Sequence, residues 1–582
     1  MNAEEIGRVL DEIATLLELK GENPFRVRAY QNAAQALRGL TEEIGAVIAE
    51  GRLREIRGIG PDLADRITKL ATTGKLDAYD QLKAEVPPGL LEMVQLPGLG
   101  PKRVKAIHDA LGVATIGELE YACRENRLAK LEGFGQKSQQ KVLDAIEHRR
   151  RYSDRHLYHH ARAAADAVTE VLGAQPGLIR AEVAGSLRRN RETIGDIDVV
   201  ASADAEARDA IMAAFVGMPE VAEVIEHGDT RSRVGLESGI NVDLRLVADR
   251  QYPYALAYFT GSKQHNIVLR QRAIDRRLRL NEYGLFRVGK DSAEAEAGDL
   301  VECRDEEELY RALDLAYIPP ELREDMGEFD AAEKGTLPRL VEPADIKGIL
   351  HVHTDASDGA NTLEQMAAAA QAMGASYLGI CDHSQSAAYA GGLTPDRVRR
   401  QWDQIDRLNE LLDGLVVLKG IESDIRGDGS LDYDDALMRG FDFVIASIHS
   451  KLKMTEDEAT RRILTALDHP AVTILGHPTG RLLLAREGYP LDMQAVIDRA
   501  AERGVAIELN ASPHRLDLDW TWCRKARAKG VRIAINPDAH AVRELAVTEI
   551  GVAVGRKGWL EAADVLNALP YDEFRAAIRR RG

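Results

Sequence analysis

Two groups of residues in this sequence have the types and spacing to do chemistry. The first lies in the C-terminal third. It comprises His351 and His353 in His351-Val352-His353, Asp358 in Ser357-Asp358-Gly359, and His383 in Cys381-Asp382-His383-Ser384. Glu422, His449 and His477 follow, and then Asp538 and His540 in Pro537-Asp538-Ala539-His540. The pairs 351/353 and 538/540 are i and i+2, which on a strand share one face. Mixed His/Asp/Glu ligation suits zinc, manganese or iron. Any one of these histidines taken alone reads as an ordinary satisfied side chain. Nine such residues, most of them directly after a candidate strand, are hard to explain structurally. Nine ligands, with Glu422 or Asp538 bridging, could hold two or three metals. Such a site would hydrolyse phosphoesters, with the metals steadying the attacking and leaving oxygens. Lys451, Arg481 and Arg515 are candidates to hold a phosphate, although surface solubility explains them nearly as well.

The second group is Asp196 and Asp198 in Gly195-Asp196-Ile197-Asp198, with Asp243 in Asn241-Val242-Asp243-Leu244-Arg245. Asp196 and Asp198 share a strand face, and Asp243 could lie beside them on a second strand. Three converging carboxylates could hold two magnesium or manganese ions, which clamp an in-line displacement at phosphorus. The preceding Gly185-Ser186-Leu187-Arg188-Arg189 can begin a helix whose free N–H groups hold a triphosphate, and Arg189 adds a charge-assisted donor. A lone Asp-x-Asp is usually a solvated loop. The Gly-Ser turn and the third aspartate turn the reading towards nucleotidyl transfer.

These groups need particular elements to position them. Residues 1–150 read as helical, with apolar residues at helical spacing in Ile6–Leu19 and Phe25–Leu37. Three segments there repeat as apolar-x-Gly-apolar-Gly. They contain Gly58 and Gly60, Gly98 and Gly100, and Gly133 and Gly135, and each opens a helical stretch. Such turns point backbone N–H groups at a phosphate. Lys102, Arg103 and Lys105 follow the second copy, so sequence-independent binding to a nucleic-acid backbone is expected. Residues 152–320 mix strands (181–184, 197–201, 241–247) with helices around 155–172 and 205–215. Residues 324–345 are charged and broken by Gly327, Pro338 and Pro343, and read as a linker. Strands at 348–352, 377–380, 415–421, 442–447, 472–475, 505–509 and 531–535 then alternate with helices. That pattern predicts a parallel α/β barrel with its functional residues at the strand C-terminal ends.

The glycine segments resemble helix-hairpin-helix DNA-binding elements. From the N-terminus to about residue 323 the chain closely resembles the family X DNA polymerases, on Gly185–Asp198, the Asp243 strand and Tyr258-Phe259-Thr260-Gly261-Ser262. Residues 346–582 resemble the PHP (polymerase and histidinol phosphatase) family, with all nine positions of its metal constellation filled. The resemblance implies a helical DNA-binding domain (1–80), a fingers-like helical domain (81–152), a nucleotidyltransferase α/β palm (153–255), a thumb (256–323), a linker (324–345) and a (β/α)7-type barrel (346–582). Asp196, Asp198 and Asp243 would bind metal, and Asp243 would help activate the primer 3′-hydroxyl. Ser186, Arg189 and Gly195, with Gly185 in the same turn, would contact the triphosphate. Tyr258, Phe259 and Gly261 would line the sugar and template base, and Asn266 and Arg270 would reach the minor groove. Arg270, Arg272, Arg276, Arg277 and Arg279 form the strongest basic patch, and its place in the thumb favours DNA contact. The implied activity is gap filling in base excision repair on primer-template DNA with deoxynucleoside triphosphates. A metal-dependent 3′–5′ exonuclease accompanies it, with 3′-phosphatase and abasic-endonuclease activity as further options. One departure matters: Arg66 stands where lyase-competent relatives carry a Schiff-base lysine, and a guanidinium cannot form that imine. Little 5′-deoxyribose-phosphate lyase activity is expected, with Lys69 or Lys75 the substitutes if it occurs.

Other classes fit less well. An RNA-modifying nucleotidyltransferase or small-phosphate hydrolase shares the Gly-Ser and Asp-x-Asp core but does not account for Tyr258–Ser262 or the hairpin repeats. A non-catalytic DNA-end scaffold does not need two complete carboxylate and histidine sets. The 582 residues carry a net charge of −18, which by itself argues weakly against nucleic-acid binding, but contacts depend on local patches. Cys123, Cys303, Cys381 and Cys523 are scattered, so neither a disulfide framework nor a zinc ribbon is expected. No apolar run approaches a membrane span and the N-terminus lacks a signal-like apolar segment. A soluble, cytoplasmic chain without a dimerisation signature, hence a monomer, is expected.

Overall fold

The computed structural model describes the chain except for residues 39, 41–43, 57, 125–126, 153–154, 289–298, 485 and 579–582. It divides into two compact units, 1–154 and 155–582. The first is helical. Its opening helix, Ala3–Lys20, starts at an Asn2–Glu5 capping box and stops at Gly21 in the left-handed region. Ile6, Leu10, Ile13 and Leu17 form its buried stripe. Three further helices follow the glycine segments: α1 (Pro61–Thr73), α2 (Pro101–Leu111) and α3 (Gln136–Tyr152). Gly60 and Gly100 are extended N-caps with proline at the first helical position. Gly58, Gly98 and Gly133 have φ of 97°, 85° and 79°, which a side chain rarely tolerates.

The second unit contains a five-stranded mixed sheet. Its strands are β1 (Leu178–Val183), β2 (Asp196–Ala203), β3 (Val221–His227), β4 (Arg231–Leu236) and β5 (Asn241–Val247), in the order β1-β2-β5-β4-β3. Central β2 and β5 run parallel, with Asp198 opposite Asp243. Val199 and Ala201 face Ala161, Ala165 and Leu172 of one helix, while Val200 packs with Tyr252, Ala255 and Leu256 on the other side. Burial on both faces explains the nearly continuous apolar run of β2. The β3–β4 hairpin was not anticipated. Its outer strand is mostly exposed, so it lacks the alternation that marks a half-buried strand.

Residues 324–345 correct an expectation. The segment is folded, not a loose connector. It forms a helix, Glu328–Lys334, and Glu328, Leu340 and Val341 are buried. Glu328 accepts from His265 Nδ1 at 2.8 Å and from the backbone N–H of Asp325 and Met326. Its charge is therefore satisfied inside, and composition alone reads such a segment as solvated.

The strands from residue 348 onwards are β6 (Gly348–Val352), β7 (Tyr377–Ile380), β8 (Val416–Lys419), β9 (Glu422–Asp424), β10 (Ile445–Ser447), β11 (Ile474–Leu475), β12 (Ala506–Asn510) and β13 (Ile533–Asn536), all parallel. The expected strand 415–421 breaks at Gly420 and Ile421 into β8 and β9. A His383–Glu422 bridge joins β9 to the end of β7, and Val352 pairs with Ala539 to close the ring. Seven strand positions thus form a barrel whose C-terminal ends share one mouth.

Candidate active sites

At the barrel mouth five of the predicted histidines surround Glu422, which is 1% exposed. His383 Nδ1, His477 Nε2, His449 Nε2 and His351 Nε2 lie 2.9, 3.0, 3.1 and 3.3 Å from its oxygens, and His353 Nε2 lies at 3.8 Å. Asp538 is 3.2 Å from His353 and 3.5 Å from His351. Asp358 stands 3.3 Å from His383 and 3.4 Å from His540. His351, His477 and Asp538 all have positive φ (57°, 22° and 53°). Strained backbone at three strand ends marks a site over-determined by its surroundings.

This donor set fits metal ions. His351 Nε2, both ring nitrogens of His353 and Glu422 Oε2 are buried without a hydrogen-bond partner among the described residues. Three groups offer ligand atoms within 4.8 Å of one another: His353, Asp358, His383 and His540; His351, His353 and Asp538; and His383, Glu422 and His449. Burial alone would lower the His383 and His449 imidazoles, but Glu422 and a second carboxylate raise them to about 10 and about 9. Burial likewise opposes ionisation of Glu422, yet His449, His351 and His383 hold it well below the usual carboxylate range. The carboxylates are thus placed for cationic partners.

Three carboxylates behind this ring were not read from the sequence. Glu508 Oε1 accepts from His351 Nδ1 at 2.6 Å, and Glu508 Oε2 accepts from the His477 backbone N–H at 2.7 Å. Asp424 stands 2.5 Å from His449 Nδ1. Asp382 accepts from the Thr354 N–H and hydroxyl. Glu508 and Asp424 fix ring orientation and tautomer at His351 and His449, while Asp382 ties down the turn after His353. The i+2 spacing of Asp424 from Glu422, and Asp382 beside His383, were available signals. Of the phosphate candidates, Arg515 lies 3.7 Å from Asp538 and Lys451 is exposed beside His449. Arg481 is a correction. Its guanidinium is engaged by Glu192, Asp519 and the Arg515 carbonyl.

In the mixed sheet, the register sets Asp198 beside Asp243 with Asp196 on the same face of β2. Burial, then Asp196 and Asp243, pushes the Asp198 carboxyl up to about 7. Carboxylates crowded in this way suit magnesium or manganese. Gly185 has φ 61°, and a Cβ there would sit 2.0 Å from Asp198 Oδ2, so the turn can approach only as glycine. Ser186 lies one residue on, in a short helix α4 (Gly185–Arg188), and Gly195 directly precedes β2. Arg231 and Arg233, on β4, were missed. Arg231 donates to Asp243 Oδ1 at 2.9 Å, and Arg233 lies 3.3 Å from Asp243 and 3.9 Å from Asp196. Arg189 donates Nε to Glu324 at 3.1 Å. Tyr258 and Phe259 stack edge to face at 5.2 Å, and Asn266 donates to the Tyr258 carbonyl at 2.7 Å.

The basic features divide. Arg272 and Arg276 bond to Glu333, Asp314 and the Leu313 carbonyl, so they build the fold, while Arg270 is exposed. In the helical unit, Lys102 is exposed. Arg103 instead bonds the Gly98 and Gly133 carbonyls at 3.0 and 3.1 Å and lies over the Phe134 ring. It ties two hairpin turns together.

Family models match residues 1–76 (helix-hairpin-helix domain), 90–147 (SAM-like helix-hairpin-helix tandem), 255–324 (DNA polymerase beta thumb) and 350–512 (PHP domain). The DNA polymerase/3′-5′ exonuclease PolX of Bacillus subtilis (strain 168) is 39% identical over 585 residues, covering 100% of both chains. The chain belongs to the family X DNA polymerases that carry a PHP domain. A second set of relatives matches only part of it. A probable phosphatase of Thermoanaerobacter sp. (strain X514) is 28% identical over 37% of this chain and 88% of its own length. One from Yersinia enterocolitica is 31% identical over 34% and 81%. Within this family X chain, His351, His353, Asp358, His383, Glu422, His449 and His477 fall inside the span matched by the PHP model. No helix among the described residues is long and apolar enough to cross a membrane.

Proposed function

We propose that this family X polymerase fills short gaps during base excision repair and trims 3′ ends at its barrel mouth. What carries the reading is that both carboxylate clusters are complete in one chain. At the first, Asp196, Asp198 and Asp243 would hold magnesium or manganese, which supplies the charge that clamps the attacking and leaving oxygens. The N–H groups of the Gly185-Ser186 turn, the Arg189 guanidinium and the Gly195 backbone would receive the triphosphate of a deoxynucleotide. Tyr258, Phe259 and Gly261 would bound the sugar and base, and Asn266 and Arg270 would face the minor groove. Arg231 and Arg233 lie on the Asp243 carboxylate and would balance part of its charge before a cation is held there.

At the second site His351, His353, Asp358, His383, Glu422, His449, His477, Asp538 and His540 would hold two or three zinc, manganese or iron ions. These would polarise the phosphoester and steady the leaving oxygen. Arg515 and Lys451 would orient the scissile phosphate. The part-length likeness to phosphatases supports 3′-phosphate removal at the same mouth as a second activity. The hairpin glycines Gly58, Gly60, Gly98, Gly100, Gly133 and Gly135, with Lys102, would hold the DNA backbone.

The test uses one labelled primer on a one-nucleotide gap, with magnesium or manganese, with and without nucleotides. Extension is expected to vanish only in Asp196→Ala/Asp198→Ala, and 3′ trimming only in His351→Ala/His353→Ala. Extension surviving in the first variant would remove the polymerase assignment of that face.

A further inference from the structure

The turn that follows the Gly-Ser helix is anchored by the barrel. Asn190, at φ 52°, donates its side-chain amide to the Ala553 carbonyl at 3.3 Å. Glu192 pairs with Arg481 at 2.6 Å. Lys557 ends the barrel helix α5 (Thr548–Lys557) and is fully buried. Its ammonium donates to Glu324 Oε1 at 2.6 Å, to the Arg189 carbonyl at 3.0 Å and to the Glu321 carbonyl at 3.4 Å. A lysine has three N–H donors, so all are engaged. The Trp520 ring lies beneath it at 4.5 Å.

Glu324 Oε1 therefore faces more than one cation. It also accepts from Arg189 Nε at 3.1 Å and lies 3.9 Å from Arg191. The carboxylate is largely buried, so it needs a positive partner wherever that partner comes from. A carboxylate and a triphosphate recognise a guanidinium in the same way. They compete for Arg189 unless something else neutralises Glu324. Burial lowers the Lys557 amine to about 8, with Glu324 opposing, which leaves it protonated at neutral pH.

We propose that Lys557, a barrel residue, is a positioning residue for nucleotide binding at the polymerase site: by sharing the charge of Glu324 it weakens that carboxylate's hold on Arg189, whose guanidinium can then turn to the incoming triphosphate. The inference rests on the reading of Arg189 as a triphosphate contact. It makes the barrel a working part of the polymerase site without any exchange of DNA between the two centres. Removing the Lys557 charge would leave Glu324 to hold Arg189. Removing the Glu324 charge would leave Arg189 only its neutral partner, the Thr260 carbonyl.

The test is steady-state gap filling by the full chain with magnesium, measuring KM for the nucleotide and kcat separately, with 3′ trimming as a control for folding. Lys557→Met is expected to raise KM about tenfold, the scale of one charge-assisted hydrogen bond, with kcat changed less than about twofold. Glu324→Gln is expected to leave KM unchanged or lower it. The double variant should return KM to near the wild-type value, and trimming should be unchanged throughout. A packing role alone predicts the opposite: both single variants impaired and the double variant worse. That result, or an unchanged KM in Lys557→Met, overturns the proposal. Arg189→Ala separates the two failures. If it raises KM while Lys557→Met does not, the triphosphate reading stands and the positioning role falls. If it leaves KM unchanged, the triphosphate reading falls and the proposal falls with it.

Discussion

The side chain of Glu508 shows how much of a metal centre can sit one bond behind its ligands. It contacts His351 and the His477 N–H, and it accepts from Asn536 and Asn510 at 2.8 and 3.2 Å. These contacts fix which His351 nitrogen faces the cluster. Glu508→Gln keeps the shape but loses the charge. Metal affinity at the barrel should fall by about tenfold or more, read by metal analysis after dialysis against graded chelator, while gap filling is unchanged. The ligands themselves were legible because their types cluster at strand ends. Glu508 was not, because a lone strand carboxylate has no spacing partner to mark it. Arg66 is the converse case, legible through what it cannot do. It is held by Asp62 at 3.0 Å, one helical turn away. Borohydride should trap no adduct on an abasic 5′ end with the wild type, and Arg66→Lys should trap one. Strong trapping by the wild type would point instead to Lys69 or Lys75.

Among the elements, the turn into α4 is the tightest fit to chemistry. A methyl at Gly185 would overlap Asp198 Oδ2 and would also require a side chain at φ 61°. Gly185→Ala should therefore abolish extension and leave 3′ trimming intact; extension within about twofold of wild type would show that β2 can yield. The helices, central strands and barrel strands were legible because their periodicities are strong. The β3–β4 hairpin was not. Its inner strand alternates, but Arg231 and Arg233 give that alternation the look of a polar loop, and their partner Asp243 lies on another strand. Arg103 was misread for a related reason. A basic residue after a Gly-x-Gly turn suggests phosphate contact, yet its geometry serves two carbonyls and an aromatic ring. Charge in a sequence signals that a partner exists, and the fold decides whether the partner is DNA or the chain itself.

At the scale of residues 155–582, buried charges hold the sheet, the thumb and the segment leading to the barrel together. Glu306 is the centre. It accepts from Arg188 of α4 at 2.8 Å and from Arg323 at 2.6 Å, and Arg323 is wholly buried against the Tyr310 and Tyr317 rings. Burial alone would raise the Glu306 carboxyl, but Arg323 and Arg188 outweigh it and hold it at about 2. Because the folded value lies below the unfolded one, the unfolded chain binds more protons in the interval between them. The stabilisation is therefore present above pH 4.5 and is lost as the pH falls towards 2. Its size is about 3.5 kcal/mol as an upper bound, from about 1.4 kcal/mol per pH unit. Removing one partner leaves buried arginines unpaired, which itself costs several kcal/mol. Glu306→Gln should accordingly lower the thermal midpoint at pH 7, and the gap between variant and wild type should narrow steadily from pH 4.5 downwards. A gap that stayed constant over that range would mean that the Glu306 carboxylate contributes no charge to the junction, and that the two arginines are balanced by the tyrosines and carbonyls around them.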